Sequence, residues 1–199
     1  MVSEEAVSEL VKLARYQIEH SFGGMVRNLS AERDRIVRMH SEVSQKLGVF
    51  VTIYKEKQLR GCIGFPQPNF PLWNGLTKAA ESAAFHDPRF KPIEKSEINY
   101  IHFEVSILTV PEEIPNGQSA VQNIKIGKDG LIVEMNGKSG LLLPQVATEN
   151  GFDALDFLQE TCAKAGIQRT AWMQKECKIF KFQADIFKEI SKGKMIKVN

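Results

Sequence analysis

Apolar residues at Val7, Leu10, Val11, Ala14 and Ile18 recur at helical spacing, with polar residues between them. That period predicts an amphipathic helix from Ser3 to about His20 with one buried face. Ser3 followed by Glu4 and Glu5 suits its start, because a hydroxyl caps free N–H groups and acids favour the positive end of the helix dipole. Gly23-Gly24 ends it. Residues 25–47 are polar and mixed, and predict a connection carrying a short helix around Ala31 to Gln45. The pattern then changes. Gly48 to Tyr54 is β-branched and aromatic and reads as a strand, Lys55 to Gln58 as a polar turn, and Leu59 to Phe65 as a second strand containing Gly61 and Gly64. Glycine inside a strand marks a bulge or a close approach to the backbone.

Leu72, Leu76, Ala80 and Ala83 define one face of the next helix, which Pro71 can open. It must stop near His86-Asp87, since Pro88 disfavours helical geometry in the residue before it. Ile101 to Leu108 alternates strictly: Ile101, Phe103, Val105 and Ile107 point one way, and His102, Glu104, Ser106 and Leu108 the other. Further strands are expected at Ile124–Gly127, Leu131–Met135, Gly140–Leu143 and Cys177–Phe187, with Asn136-Gly137 as a tight hairpin turn. Phe152 to Ala165 predicts a helix with Phe152, Leu155, Leu158 and Cys162 along one stripe and Gly166 ending it.

Length and charge narrow the class of protein. The chain has 199 residues, enough for one domain or two small ones. It lacks any apolar run near the ~20 residues that span a bilayer. Its opening, MVSEEAVSELVKLA, has acids where a secretory signal carries basic residues, so a cytoplasmic protein is expected. A net charge of +2 provides no footprint for nucleic acid. The locally basic stretch from Lys188 to Lys197 reads as a solvated tail, or less simply as a phosphate-contacting arm. Cys62, Cys162 and Cys177 are odd in number and form no CxxC pair, which argues for reduced thiols and against a zinc site.

The chain resembles itself. Shifted by 79 residues, Gly48 falls on Gly127, Gly61 on Gly140, Leu76 on Leu155, Glu97 on Glu176 and Phe103 on Phe182, without a gap. Shared positions are explained by scaffold, and differing positions are free for function. Arg60 falls on Ser139, Cys62 on Leu141, His86 on Ala165, Asp87 on Gly166, Arg89 on Gln168 and Glu104 on Gln183. The first half therefore carries reactive side chains that the second half lacks.

LRGCIG at 59–64, AAFHDPRF at 83–90 and FEVSIL at 103–108 resemble the AMMECR domain family, as do GVFVT at 48–52, GLLLPQVA at 140–147 and FLQETCAKAG at 157–166. The resemblance spans about residues 5–190, and the stretch 25–47 falls outside its pattern. It implies an α+β fold of two unequal subdomains with antiparallel sheets and a cleft at LRGCIG. It implies no established reaction or cofactor. Some family members are fused to, or encoded beside, Memo-like and radical-SAM proteins, which makes a Memo-like protein a candidate partner.

Together these readings predict a single AMMECR-like domain over 1–199. An N-terminal helical segment, 3–47, precedes pseudo-repeats at about 48–110 and 127–190, packed as one compact unit. Cys62, His86 and Glu104 are the candidate catalytic residues: a thiol nucleophile, a base, and a carboxylate to orient it, a role open also to Asp87. Arg60, Gly61, Gly64, Asp87 and Arg89 are the candidate substrate-binding residues. In a regular strand Arg60 and Cys62 share a face, and the guanidinium would favour the thiolate. Each has a plainer reading: Cys62 as a small buried hydrophobe, His86 as helix-end charge compensation, Asp87 as a turn residue, Arg89 as a partner for Glu104. His102 beside Glu104 could begin a metal site, but no third ligand follows in the sequence. An enzyme and a non-catalytic protein-binding module both fit this pattern, and nucleic-acid binding fits it less well.

Overall fold

The computed structural model describes residues 2–23 and 28–198. Gly24 and residues 25–27 of the expected connection lie outside the described residues. The chain divides into two units, Met1–Ile107 with Asp185–Asn199, and Leu108–Ala184. Both combine helices with a sheet, and the fold class is α+β as expected.

The first unit opens with α1 (Glu4–His20), whose Ser3 cap accepts the Ala6 N–H at 3.2 Å. Its predicted apolar positions are all buried. The mixed segment folds as α2 (Leu29–Met39), capped by Asn28, and a helical turn at Ser41–Ser44. Strands β1 (Gly48–Lys55) and β2 (Gln58–Phe65) form an antiparallel hairpin. Helix α3 (Leu72–Phe85) follows, and then β3 (Ile101–Leu108). The long strand β7 (Lys178–Ser191) contributes residues 185–191 to this unit and pairs with β8 (Lys194–Lys197). Strand order in this unit is β2-β1-β3-β7, with β8 also on β7. Val49, Val51 and Ile53 of β1, Phe103 and Val105 of β3, and the apolar faces of α1 and α3 form one core. The alternation in β1 and β3 thus sends Thr52 and Glu104 to the opposite face of the sheet.

A buried ion pair ties α1 to this sheet. Arg15 forks onto Glu189 with both contacts at 2.9 Å and donates to the Ile98 and Ile101 carbonyls. Glu189 also accepts the Phe103 N–H at 2.9 Å. Burial of such a pair is offset by these further hydrogen bonds, although Arg15 Nε is buried without a partner among the described residues.

The second unit holds β4 (Glu112–Ile114), α4 (Gln118–Asn123), β5 (Asp129–Met135), β6 (Lys138–Leu142), α5 (Pro144–Asn150), α6 (Ala154–Lys164) and residues 178–184 of β7. Strands β4 and β5 each pair antiparallel with β7, and β6 pairs antiparallel with β5. Leu131, Val133, Phe157, Leu158, Cys162 and Ile179 lie in its core.

Three expectations are corrected. Ile124–Gly127 is a turn rather than a strand, because the Asp129 carboxylate accepts the Lys125 N–H at 2.9 Å and Gly127 takes a φ of 80°. Leu155 is exposed, and Phe157 takes its place on the buried face of α6. The basic stretch 188–197 is ordered as the end of β7 plus β8, not a solvated tail. Lys188 pairs with Glu104, Lys192 with Glu19 and Lys197 with Asp185.

Candidate functional site

The LRGCIG segment is β2, an edge strand. Its register is interrupted: Ile53 pairs with Gly61, but Tyr54 pairs with Leu59, so Arg60 is an extra residue in a β-bulge. The bulge breaks the alternation that would align Arg60 with Cys62. Arg60 instead forks onto Glu97, Nη2 to Oε2 at 2.9 Å and Nε to Oε1 at 3.1 Å. It also donates to the carbonyls of Lys91 at 2.6 Å and Pro92 at 3.0 Å. Glu97 further accepts from Lys55 and from the Glu94 N–H. The Arg60 guanidinium, with these two donors, holds the Glu97 carboxyl down at about 2 against the opposing effect of burial.

The AAFHDPRF segment closes the edge. Thr52 and Cys62 face each other across the hairpin, and the Cys62 N–H and C=O point outward from it. Asp87, at the end of α3, accepts that N–H at 2.8 Å. Arg89 Nη2 donates to that carbonyl at 3.1 Å and to Asp87 Oδ2 at 2.7 Å, while Arg89 Nε bonds Oδ1 at 2.9 Å. Asp87 is almost wholly buried, yet the Arg89 guanidinium, aided by the Cys62 and Arg89 N–H groups, holds its carboxyl far below the ordinary carboxylate range. An edge strand left open is a template for unwanted pairing, and here two side chains occupy it.

The glycines have equally local explanations. A Cβ on Gly61 would stand 2.0 Å from the Ala83 carbonyl oxygen of α3, and one on Gly64 would stand 2.2 Å from the Phe50 ring. Gly140 stands in the same relation to α6, where a Cβ would lie 2.4 Å from the Ala165 nitrogen.

The three candidate catalytic residues are placed differently. The Cys62 residue is half-buried, and its thiol accepts a hydrogen bond from Thr52 Oγ1 at 3.2 Å. His86 is exposed at the C-terminal end of α3, its ring edge-on to Phe85. Glu104 pairs with Lys188 at 3.2 Å rather than with Arg89. Among the described residues, no hydrogen bond links Cys62, His86 and Glu104 to one another, and no group of three or more His, Cys, Asp or Glu is arranged to hold a metal. The structure does bring Cys62, Asp87 and Arg89 together, through the Cys62 backbone. Sequence reasoning missed Glu97, the anchor of Arg60. It recurs at Glu176, and shared positions were assigned to scaffold. It missed Thr52 because a threonine in a β-branched run carries no signal of its own.

Comparison with known proteins agrees with this architecture. The AMMECR1 family profile matches residues 11–187, and the chain belongs to the AMMECR1 family. It is similar to protein TV1384 of Thermoplasma volcanium, 52% identical over 149 residues (73% of this chain, 74% of that one). It is also similar to a protein of Methanothermobacter thermautotrophicus, 45% identical over 190 residues (94% and 96%). The crystal structure of the uncharacterized protein PH0010 from Pyrococcus horikoshii superposes with a TM-score of 0.84 at 40% identity, covering 99% of this chain and 98% of that one. No helix among the described residues is long and apolar enough to cross a membrane.

Proposed function

We propose that this protein is a binding module that presents the Thr52–Cys62 face of its first unit, beside LRGCIG, to a protein partner. One observation carries this reading: the charged residues of LRGCIG and AAFHDPRF are engaged internally. Arg60 uses all three of its guanidinium nitrogens on Glu97 and two carbonyls, and Asp87 with Arg89 closes the β2 edge. Groups held this way are poor acids, bases or anion receptors, but they make β2 a rigid wall. The face beside it offers Thr52, the Cys62 thiol and the Glu104–Lys188 pair, the mixture of adaptable polar groups and charges found around protein contacts. The family resemblance makes a Memo-like protein the first partner to try. The test is calorimetric titration of a purified Memo-like protein into wild type and Thr52→Arg. Binding to wild type that Thr52→Arg abolishes, with thermal stability unchanged, supports the module. Binding that Thr52→Arg leaves intact removes this face from it.

A second reading is favoured by the Thr52 hydroxyl at the Cys62 sulfur. A hydroxyl 3.2 Å from the sulfur would orient it for nucleophilic chemistry. Alkylation of Cys62 near neutral pH no faster than that of a free peptide cysteine would end this reading.

A further inference from the structure

The two units treat their outer hairpin strands in opposite ways. In β6, the two-residue turn Asn136-Gly137, both at positive φ, sets Met135 against Lys138 and Val133 against Gly140 as the hydrogen-bonded pairs. Ser139 and Leu141 therefore aim their N–H and C=O groups away from β5. Strand β6 ends its side of the sheet, and among the described residues none of these four groups has a partner. In β2 the corresponding outward groups, those of Cys62, meet Asp87 and Arg89. Seventy-nine residues on from these three stand Leu141, Gly166 and Gln168. Gly166 has no side chain to accept with, so among the described residues nothing closes the edge.

Space and charge beside the edge match this. A cavity of about 720 Å³ lies against Asn136, Lys138, Gly166, Ile167 and Gln168. A second, of about 360 Å³, lies against Ser139 and Glu176. Glu176 stands 79 positions after Glu97, the acceptor of Arg60, but the residue matching Arg60 is Ser139. Glu176 is exposed and has no ion-pair partner among the described residues. Beside it, Lys138 donates to the Gly166 carbonyl at 2.9 Å, and Lys178 stands opposite Glu134 in the β5–β7 ladder.

We propose that the open edge of β6 takes up an extended peptide strand of a partner protein, and that this strand carries an arginine or lysine that reaches Glu176. The incoming backbone provides what Asp87 and Arg89 provide at β2, an acceptor for one N–H and a donor for one C=O. Its basic side chain provides in trans what Arg60 provides in cis. Strand addition of this kind draws affinity from main-chain hydrogen bonds and selectivity from side-chain pockets. The site lies in the second unit and does not depend on the reading of the first unit's face.

The experiment is a positional-scanning library of blocked hexapeptides screened against the intact protein, with hydrogen exchange read at individual amides. The expected result is selection of Arg or Lys at one position and slowed exchange at Ser139 and Leu141 but not at Cys62. N-methylation of the peptide amide facing Leu141 should weaken binding about tenfold, the worth of one hydrogen bond. Glu176→Gln should remove the basic preference. The proposal is overturned if no pool binds up to millimolar concentration, or if the N-methylated peptide binds equally well. Protection of the two amides that rises with protein concentration alone would also overturn it, in favour of pairing between copies.

Discussion

The Asp87 carboxylate accepts the Cys62 backbone N–H at 2.8 Å and is itself gripped by Arg89, so two residues 25 positions apart close the edge of β2. Three of the side chains that look most reactive in the sequence, Arg60, Asp87 and Arg89, therefore hold backbone in place.

Asp87→Asn keeps the shape but loses the charge that Arg89 and the Cys62 N–H meet. Hydrogen bonds to charged groups are worth about 1.5–3 kcal/mol each, and the amide retains part of them, so a loss of about 2 kcal/mol is expected. Urea denaturation measures it, and hydrogen exchange at Cys62 should accelerate. An unchanged midpoint with unchanged exchange would show that the closure is unimportant.

Acid should act through the same clamps. The Glu97 carboxyl is held at about 2, against about 4.3 for an unfolded chain, and Asp87 lies lower still. A folded pKa below the unfolded one means stability that is present above the unfolded value and lost as pH falls toward the folded value. Wild type should therefore lose stability steadily from about pH 4 to about pH 2. Glu97→Gln should be less stable at pH 7 and show a shallower acid limb. Parallel acid limbs for the two proteins would contradict the assignment of this charge to Glu97.

The two glycines of the motif should respond unequally to alanine. At Gly61 the new methyl meets helix backbone, which cannot step aside, and a cost at the upper end of the about 1–3 kcal/mol range for overpacking is expected. At Gly64 it meets the Phe50 ring, which can turn, so the cost should be smaller. Calorimetric melting of Gly61→Ala and Gly64→Ala gives the order, and the reverse order would be inconsistent with this packing.

The three thiols should also separate. Cys162 and Cys177 are fully buried, and burial pushes both thiols up, Cys177 to about 11, so neither forms a thiolate in the native protein. Cys62 is half-buried. A native disulfide-exchange assay with peptide mapping should label Cys62 alone, and all three cysteines after unfolding. Labelling of Cys162 or Cys177 in the folded protein would mean that the second unit opens far more often than its packing suggests.

The local features of the fold were readable because neighbouring residues decide them. The period in α1 and α3, the alternation in β3 and the Asn136-Gly137 turn all appear where expected. Short elements were not readable. Helices α4 and α5, of six and seven residues, carry too few periods to register, and Asp129 pulls residues 124–127 out of the strand that their apolar content suggested.

The sequence by itself determined the long periodic helices and the alternating strands and, through the match of Gly61 with Gly140, that Gly61 belongs to the scaffold, since periodicity and self-similarity are written in the chain itself. It also determined where the charged residues cluster. Only the tertiary structure decided what those charges do. One extra residue in β2 turns Arg60 from the face of Cys62 to Glu97, 37 positions away, and the end of α3 brings Asp87 and Arg89 to the Cys62 backbone. A guanidinium or carboxylate binds whatever complementary group the fold places within 3 Å, and that placement depends on register and chain return, which no local pattern records.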